Sequence, residues 1–218
     1  MKLLRMILGP ELSDAQKRRL DAWRALPDAD DKRIVVVDVE TTGLDLVRDT
    51  LISIGAVAVL DRRIALGETF SAVLKQDRIS SRENILVHGI TGDAQRQGMP
   101  PAEALLDFLE YLGKSPLVAF HVAFDETMIR RAMKKYLGFT FRHRWLDMAY
   151  VMPAILPNLV LRDLDEWTGH FSIGNDERHN AASDALATAQ LFLVAQKMQG
   201  MGYDRMRSIS RARSGMMP

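Results

Sequence analysis

The 218-residue chain reads as an α/β domain: a mixed sheet, an antiparallel hairpin plus parallel strands, flanked by helices. Three observations predict this. Ile34-Val35-Val36-Val37 is a β-branched run of the kind that fills a buried central strand. Leu51–Leu60 and Ile64–Val73 are strand-like segments separated only by Asp61-Arg62-Arg63, a connection short enough to imply an antiparallel hairpin. Beyond them, helical apolar periodicities alternate with brief apolar strands, the order that lays helices on a mixed sheet.

Taken in order, Glu11–Leu26 has Leu12, Ala15, Leu20, Trp23 and Leu26 at roughly helical spacing, with Ser13 and Asp14 as start signals. A polar break containing Asp28, Asp30 and Asp31 separates this helix from the first strand, which ends at Asp38. After the hairpin, Pro100–Leu112 is an amphipathic helix, Leu117–Phe120 a short strand, and Asp125–Leu137 a helix with Met128, Ile129, Ala132, Met133 and Tyr136 on its apolar face. Arg144–Leu146 reads as a further strand. It leads into a helix from Asp147 that is expected to break or kink near Pro153. Leu161–Trp167 is a short helix and Asn180–Met198 a long one stopped at Gly200. The expected organisation is a helical extension over residues 1–32, one main domain over 33–200, and a basic flexible tail over 201–218 in which Arg205, Arg207, Arg211 and Arg213 stand among Ser and Gly. There is no internal repeat.

Composition excludes several classes. The apolar fraction of 47% supports a sizeable core, so wholesale disorder is not expected. The absence of cysteine removes disulfides, thiolate metal sites and cysteine nucleophiles. No apolar run approaches the ~18–20 residues that cross a bilayer, and Arg5 interrupts the apolar start, so neither a membrane partner nor a signal peptide is expected and cytoplasmic residence is the default. Twenty-nine basic against twenty-eight acidic residues leave a net charge of +1. That balance does not suit a protein that coats nucleic acid, yet it permits one that grips a few phosphates locally.

The chemistry lies in the acids. Asp38 and Glu40 are two apart at the end of the first strand and therefore share a face. Two carboxylates so placed repel unless a cation lies between them. Asp125 follows the apolar strand 117–120, at the strand end where sites collect in open α/β sheets. His179 and Asp184 are five apart, about 140° around a continuous helix. They converge only if His179 lies in the loop, Asn180 caps the helix and Asp184 occupies its first turns. Each element alone admits a plainer account: a solvated strand end, a helix-terminal acid, a surface histidine.

Their order is more specific. Val37-Asp38-Val39-Glu40-Thr41-Thr42-Gly43-Leu44 and His179-Asn180-Ala181-Ala182-Ser183-Asp184, with Ile52-Ser53-Ile54-Gly55-Ala56-Val57 and His88-Gly89-Ile90-Thr91 between them, resemble the DnaQ-like (DEDDh) 3′→5′ exonucleases over about residues 34–198. That family has a ribonuclease-H-like fold and includes the epsilon proofreading subunit of bacterial DNA polymerase III, ribonuclease T and oligoribonuclease. The second motif departs from the family's His-Asn-Ala-x-Phe-Asp: Phe120 and His121 stand where His and Asn are usual, while Phe124 and Asp125 are kept.

The resemblance implies a catalytic set of Asp38, Glu40, Asp125, His179 and Asp184 and two divalent cations. The all-oxygen donors favour Mg²⁺ or Mn²⁺ over zinc. It implies that Asp38 bridges both ions, that Glu40 and Asp184 hold the first, and that Asp125 supports the second, partly through water. His179 is then the general base, a role filled by a neutral imidazole, and His121 is structural or substrate-contacting. Thr41, Thr42, Leu44, His88 and Phe124 are implied as substrate contacts, Leu44 as a wedge against bases. The implied activity is hydrolysis at 3′ ends of DNA, most simply single-stranded, releasing nucleoside monophosphates, with a polymerase or repair complex as candidate partner. Two alternatives stay open: an RNA-trimming exoribonuclease, and an idle nucleic-acid-binding or adaptor domain. The motifs do not discriminate the sugar, and oligomeric state is not written in the sequence. Gln190-Leu191-Phe192-Leu193 faintly resembles a sliding-clamp peptide, but its place inside a helix makes it core.

Overall fold

The computed structural model describes residues 10–174 and 178–215; the expected basic start Met1–Gly9 lies outside them. Among the described residues five strands form one sheet, β1 (Arg33–Thr41), β2 (Leu51–Leu60), β3 (Arg63–Val73), β4 (Leu117–Ala119) and β5 (Trp145–Asp147), in the order β3-β2-β1-β4-β5. β3, β2 and β1 are antiparallel, whereas β1, β4 and β5 run parallel. This is the predicted mixed sheet. Leu60 pairs with Arg63, so the hairpin turns on Asp61 and Arg62 alone, both with positive φ (46° and 63°), as a two-residue turn matched to strand twist requires.

Helices cover both faces. They are α1 (Asp14–Arg24), α2 (Arg82–His88), α3 (Gly92–Gln97), α4 (Pro101–Leu112), α5 (Val122–Leu137), α6 (Met148–Ile155), α7 (Leu164–His170), α8 (Ala181–Gln199) and α9 (Tyr203–Ser214). The period-2 alternation of β1 divides the core. Val35, Val37 and Val39 join Phe108, Met128 and Phe141 on the side of α1, α4 and α5. Ile34 and Val36 join Trp167, Phe192 and Met206 on the side of α6 to α9. Continued along the strand, the even-numbered set delivers Asp38 and Glu40 to the α8 face.

α1 carries a complete capping box between Ser13 and Gln16 and packs on α4, where Trp23 Nε1 donates to the Gly113 carbonyl at 2.6 Å. Two expectations are corrected and one is met. The tail is not a flexible segment through residues 203–214: Tyr203, Met206 and Ser210 form a buried stripe that docks α9, and the Tyr203 hydroxyl donates to the Leu117 carbonyl at 3.3 Å. The helix entered at Asp147 ends at Ile155, two residues past Pro153, near the break expected there. α5 starts at Val122, three residues before Asp125, and that shift bears on the site. The short α2 and α3, each with a side-chain cap from Ser81 or Thr91, were not anticipated.

Candidate active site and metal centre

Asp38 and Glu40 leave β1 on the face that receives the N-terminus of α8. Asn180 caps α8, its side chain accepting from the backbone N–H groups of Ala182 and Ser183, and Asp184 falls in the first turn, where an acid complements the helix dipole. The expected split between loop histidine and helical aspartate is therefore what forms. Oxygens of Asp38, Glu40 and Asp184 all lie within 4.8 Å of one another, so one cation can touch all three. Asp125 comes from α5 on the opposite side of the sheet. It is buried, bonded by the Val39 backbone N–H, and close enough to raise the pKa of Asp38 by repulsion. It completes the acidic set from beneath without joining the trio.

The cost of this arrangement appears in the protonation equilibria. Burial first, then repulsion from Asp125, Asp184 and Glu40, holds Asp38 well above the ordinary carboxylate range, partly offset by Arg178. Burial and Asp184 push Glu40 up to about 8, again against Arg178. Asp125 is also raised, chiefly by burial. Packing acids this closely and partly out of water is unfavourable unless protons or cations neutralise them. The hard, all-oxygen donor set fits a divalent cation.

Two residues here were not singled out from the sequence. Arg178 donates from Nη1 to Asp184 Oδ1 at 2.6 Å and pairs through Nε with Asp165 of α7, supplying the local positive charge. Its signal was adjacency to His179. Asp147, at the end of β5, is 5% exposed, and its carboxylate accepts three backbone N–H groups, from His121, Val122 and Ala149.

The histidines differ sharply. His179 is exposed, has φ +60°, and its backbone N–H donates to Asp184 Oδ2 at 3.1 Å. His121 is also exposed and left-handed (φ +68°, ψ +55°), and its ring meets Phe120 edge-on. Both motif histidines therefore take left-handed backbone, as Asp61, Arg62 and Ser172 do elsewhere, at a cost of ~1–2 kcal/mol each. His88, an expected substrate contact, ends α2. It is buried, Nδ1 accepts from the Ile90 N–H at 2.9 Å, and Nε2 lies 3.3 Å from Ser80 Oγ. Both ring nitrogens are spent stapling the α2–α3 loop.

Of the remaining expected contacts, Leu44 is 84% exposed, so it is not core. Its loop is held by Asp49, which accepts from Thr42 Oγ1 and the Asp45 N–H, and by Arg131, which donates to the Val47 and Asp49 carbonyls. Thr41 is buried, its hydroxyl bonded to the Gly43 carbonyl at 2.6 Å and its own carbonyl to Asn84 at 2.7 Å. Phe124 is half-buried against the α5-side core.

A mixed sheet of this order with an acid cluster at its parallel strand ends is an α/β arrangement whose acids could hold a cation. More narrowly, the chain belongs to the RNase T exonuclease family, whose model matches residues 35–192. It is 31% identical over 176 residues to the PolC-type DNA polymerase III of Thermotoga petrophila, covering 80% of this chain and 13% of that one. It is 30% identical over 164 residues to the DNA polymerase III epsilon subunit of Aquifex aeolicus, covering 75% and 80% of the two chains. The chain thus spans about an eighth of the PolC-type polymerases it matches. Among solved structures, E. coli Exonuclease I in complex with a dT13 oligonucleotide superposes with a TM-score of 0.66 at 18% identity, over 78% of this chain and 42% of that one. Exonuclease X in complex with 5′ overhanging duplex DNA gives 0.65 at 18%, over 81% and 99%. Among the described residues, no helix is long and apolar enough to cross a membrane.

Proposed function

We propose that this chain is a cation-dependent 3′→5′ exonuclease that removes nucleoside 5′-monophosphates from the 3′ end of single-stranded DNA. The observation that carries this reading is the meeting of Asp38, Glu40 and Asp184 within 4.8 Å at a site where Asp125 adds a fourth carboxylate. Asp38, Glu40 and Asp184 would hold one Mg²⁺ or Mn²⁺, and Asp38 with Asp125 a second. Such ions acidify water and neutralise charge on the transferring phosphoryl group and the departing oxygen. His179, exposed beside Asp184, takes the proton from the attacking water. That water adds to the phosphorus of the terminal nucleotide, the bond to the 3′ oxygen of the penultimate nucleotide breaks, and the 3′ oxygen regains a proton. Leu44, held out from its braced loop, meets the terminal bases; Thr41, Thr42 and Phe124 shape the adjoining floor. DNA is favoured because the relatives are DNA polymerase III proteins and the superposed nucleases bind DNA, which also makes a polymerase complex the candidate partner.

The test is digestion of 5′-labelled and 3′-labelled single-stranded DNA and RNA of one sequence, with Mg²⁺, Mn²⁺ or EDTA. The reading requires a descending ladder from the 5′-labelled DNA and early release of labelled mononucleotide from the 3′-labelled strand, both abolished by EDTA. RNA cut faster than DNA would reassign the substrate, and no cation-dependent cleavage of either would leave an idle binding domain.

A further inference from the structure

We infer that Asp147 is the positioning residue for the altered second motif, and that its carboxylate takes over the fixing of the backbone from which Asp125 reaches the cation centre. This rests on the nuclease reading above.

α5 begins without a side-chain cap: His121 at its N-cap position makes no capping bond, although the first N–H groups of a helix need partners. Asp147 supplies them from another strand. Its Oδ1 accepts from His121 N at 3.1 Å and its Oδ2 from Val122 N at 2.9 Å. Both donors lie 25 or more residues away in sequence. A helix cap for α6 would need only the third bond, from Ala149 N at 2.9 Å, so capping does not account for the other two. Three of the carboxylate's roughly four lone-pair sites are taken by amides. Its own backbone N–H donates to Ser210 Oγ at 3.2 Å, so α9 braces the same residue.

The clamp has an identifiable object. His121 takes left-handed backbone, uncommon outside glycine, although Asn, Asp and His enter it more often than other side chains and glycine does so freely. The two amides that flank the turn are those Asp147 grips. Val122 then opens α5, and Asp125 falls in its first turn, against the Val39 N–H. Asp147 and Asp125 also repel each other, so two buried acids stand close where an uncharged capping residue would have been less costly. Three simultaneous amide bonds are what the carboxylate provides and a neutral side chain does not.

The test compares wild type, Asp147→Asn and Asp147→Asn/His121→Gly by Mn²⁺ titration calorimetry, oligonucleotide kinetics and melting in EDTA. An asparagine keeps one acceptor oxygen and turns an NH₂ toward at least one of the three amides. The expected loss in Mn²⁺ affinity is about 10–100-fold, with kcat falling in parallel and KM for the oligonucleotide changing less. Glycine at 121 adopts the left-handed turn unaided, so the double variant should recover most of the Mn²⁺ affinity. Wild-type Mn²⁺ affinity in Asp147→Asn, or no recovery in the double variant, overturns the inference. If Asp147→Asn does not fold, His121→Val, which strains the same turn with Asp147 intact, is read by the same criterion: unchanged Mn²⁺ affinity overturns it. A wild-type protein that neither binds Mn²⁺ nor cleaves any end would sink the nuclease reading itself, a result distinct from these.

Discussion

Gly55 and Ala181 touch backbone to backbone: a Cβ on Gly55 would lie 2.1 Å from the carbonyl carbon of Ala181 and 2.2 Å from the amide nitrogen of Ala182. Gly55 also pairs with Asp38 across the β1–β2 ladder. The glycine therefore sets how near the start of α8, with Asp184 on its first turn, can come to the strand carboxylates. Gly55→Ala must push α8 outward, since neither backbone can yield by a rotamer change. Overpacking of this kind costs typically ~1–3 kcal/mol, and the displaced Asp184 should weaken Mn²⁺ binding more than melting alone indicates. Calorimetric titration and thermal melts of Gly55→Ala check this; a variant with wild-type Mn²⁺ affinity would show that the contact is only packing.

His179→Ala should lower kcat by about 10²–10⁴-fold, the usual contribution of a general base, while Mn²⁺ affinity changes little. The reason for the split is that residue 179 meets Asp184 through its backbone N–H at 3.1 Å, which alanine retains. Asp38→Ala should do the reverse and abolish both binding and cleavage. Parallel kinetics and titration of the two variants separate proton transfer from cation binding.

The carboxylate cluster predicts how stability varies with pH in the absence of cations. Glu40 has a folded pKa of about 8 against an ordinary value of 4.5. A folded pKa raised above the unfolded one means that the folded state holds a proton the unfolded state has released. The stabilisation is complete below about pH 4.5 and is lost as pH rises through about 8. Melting temperature in EDTA should therefore fall across that window, and Glu40→Gln should flatten the decline. Mn²⁺ binding competes with the same protons, so its affinity should rise with pH over that range and binding should release protons. A melting temperature in EDTA that climbs across that window would contradict the account.

What the sequence disclosed follows what local patterns encode. Alternation along β1 placed Asp38 and Glu40 on one face without knowledge of α8, and the sequence spacing of His179 from Asp184 already required a loop and a capped helix. The position of Asp125 was legible, but the side of the sheet from which it arrives was not, because α5 begins at Val122 by means of a long-range bond from Asp147. An aspartate between a short strand and a helix has no local mark distinguishing it from an ordinary cap. α9 was misread for a related reason: its buried stripe of Tyr203, Met206 and Ser210 is thin, and the arginines and serines around it carry the composition of a mobile tail. His88 was legible through the family match of its neighbours, but its bonding to Ser80 and the turn at Ile90 is something periodicity does not reveal.

The last prediction concerns which contact secures α1. Arg19 reaches Glu103 at 2.7 Å and Glu110 at 2.6 Å, and also Asp107, and looks like the dominant anchor. Its carboxylate partners are 38–51% exposed, however, and exposed ion pairs contribute a median of only ~0–1 kcal/mol because water and salt screen them. Trp23 is 7% exposed, bonds the Gly113 carbonyl, and packs with Phe139 and Phe141. Truncating a buried aromatic to alanine costs ~3–5 kcal/mol. Trp23→Ala should therefore destabilise the domain severely, and Arg19→Ala by about 1 kcal/mol or less, an effect that shrinks in high salt. Neither side chain approaches the acidic cluster, so kcat of the folded fraction should be unchanged in both. Urea melts at low and high salt, paired with kinetics, decide the ranking; an Arg19→Ala loss as large as that of Trp23→Ala would mean that α1 is held by charge.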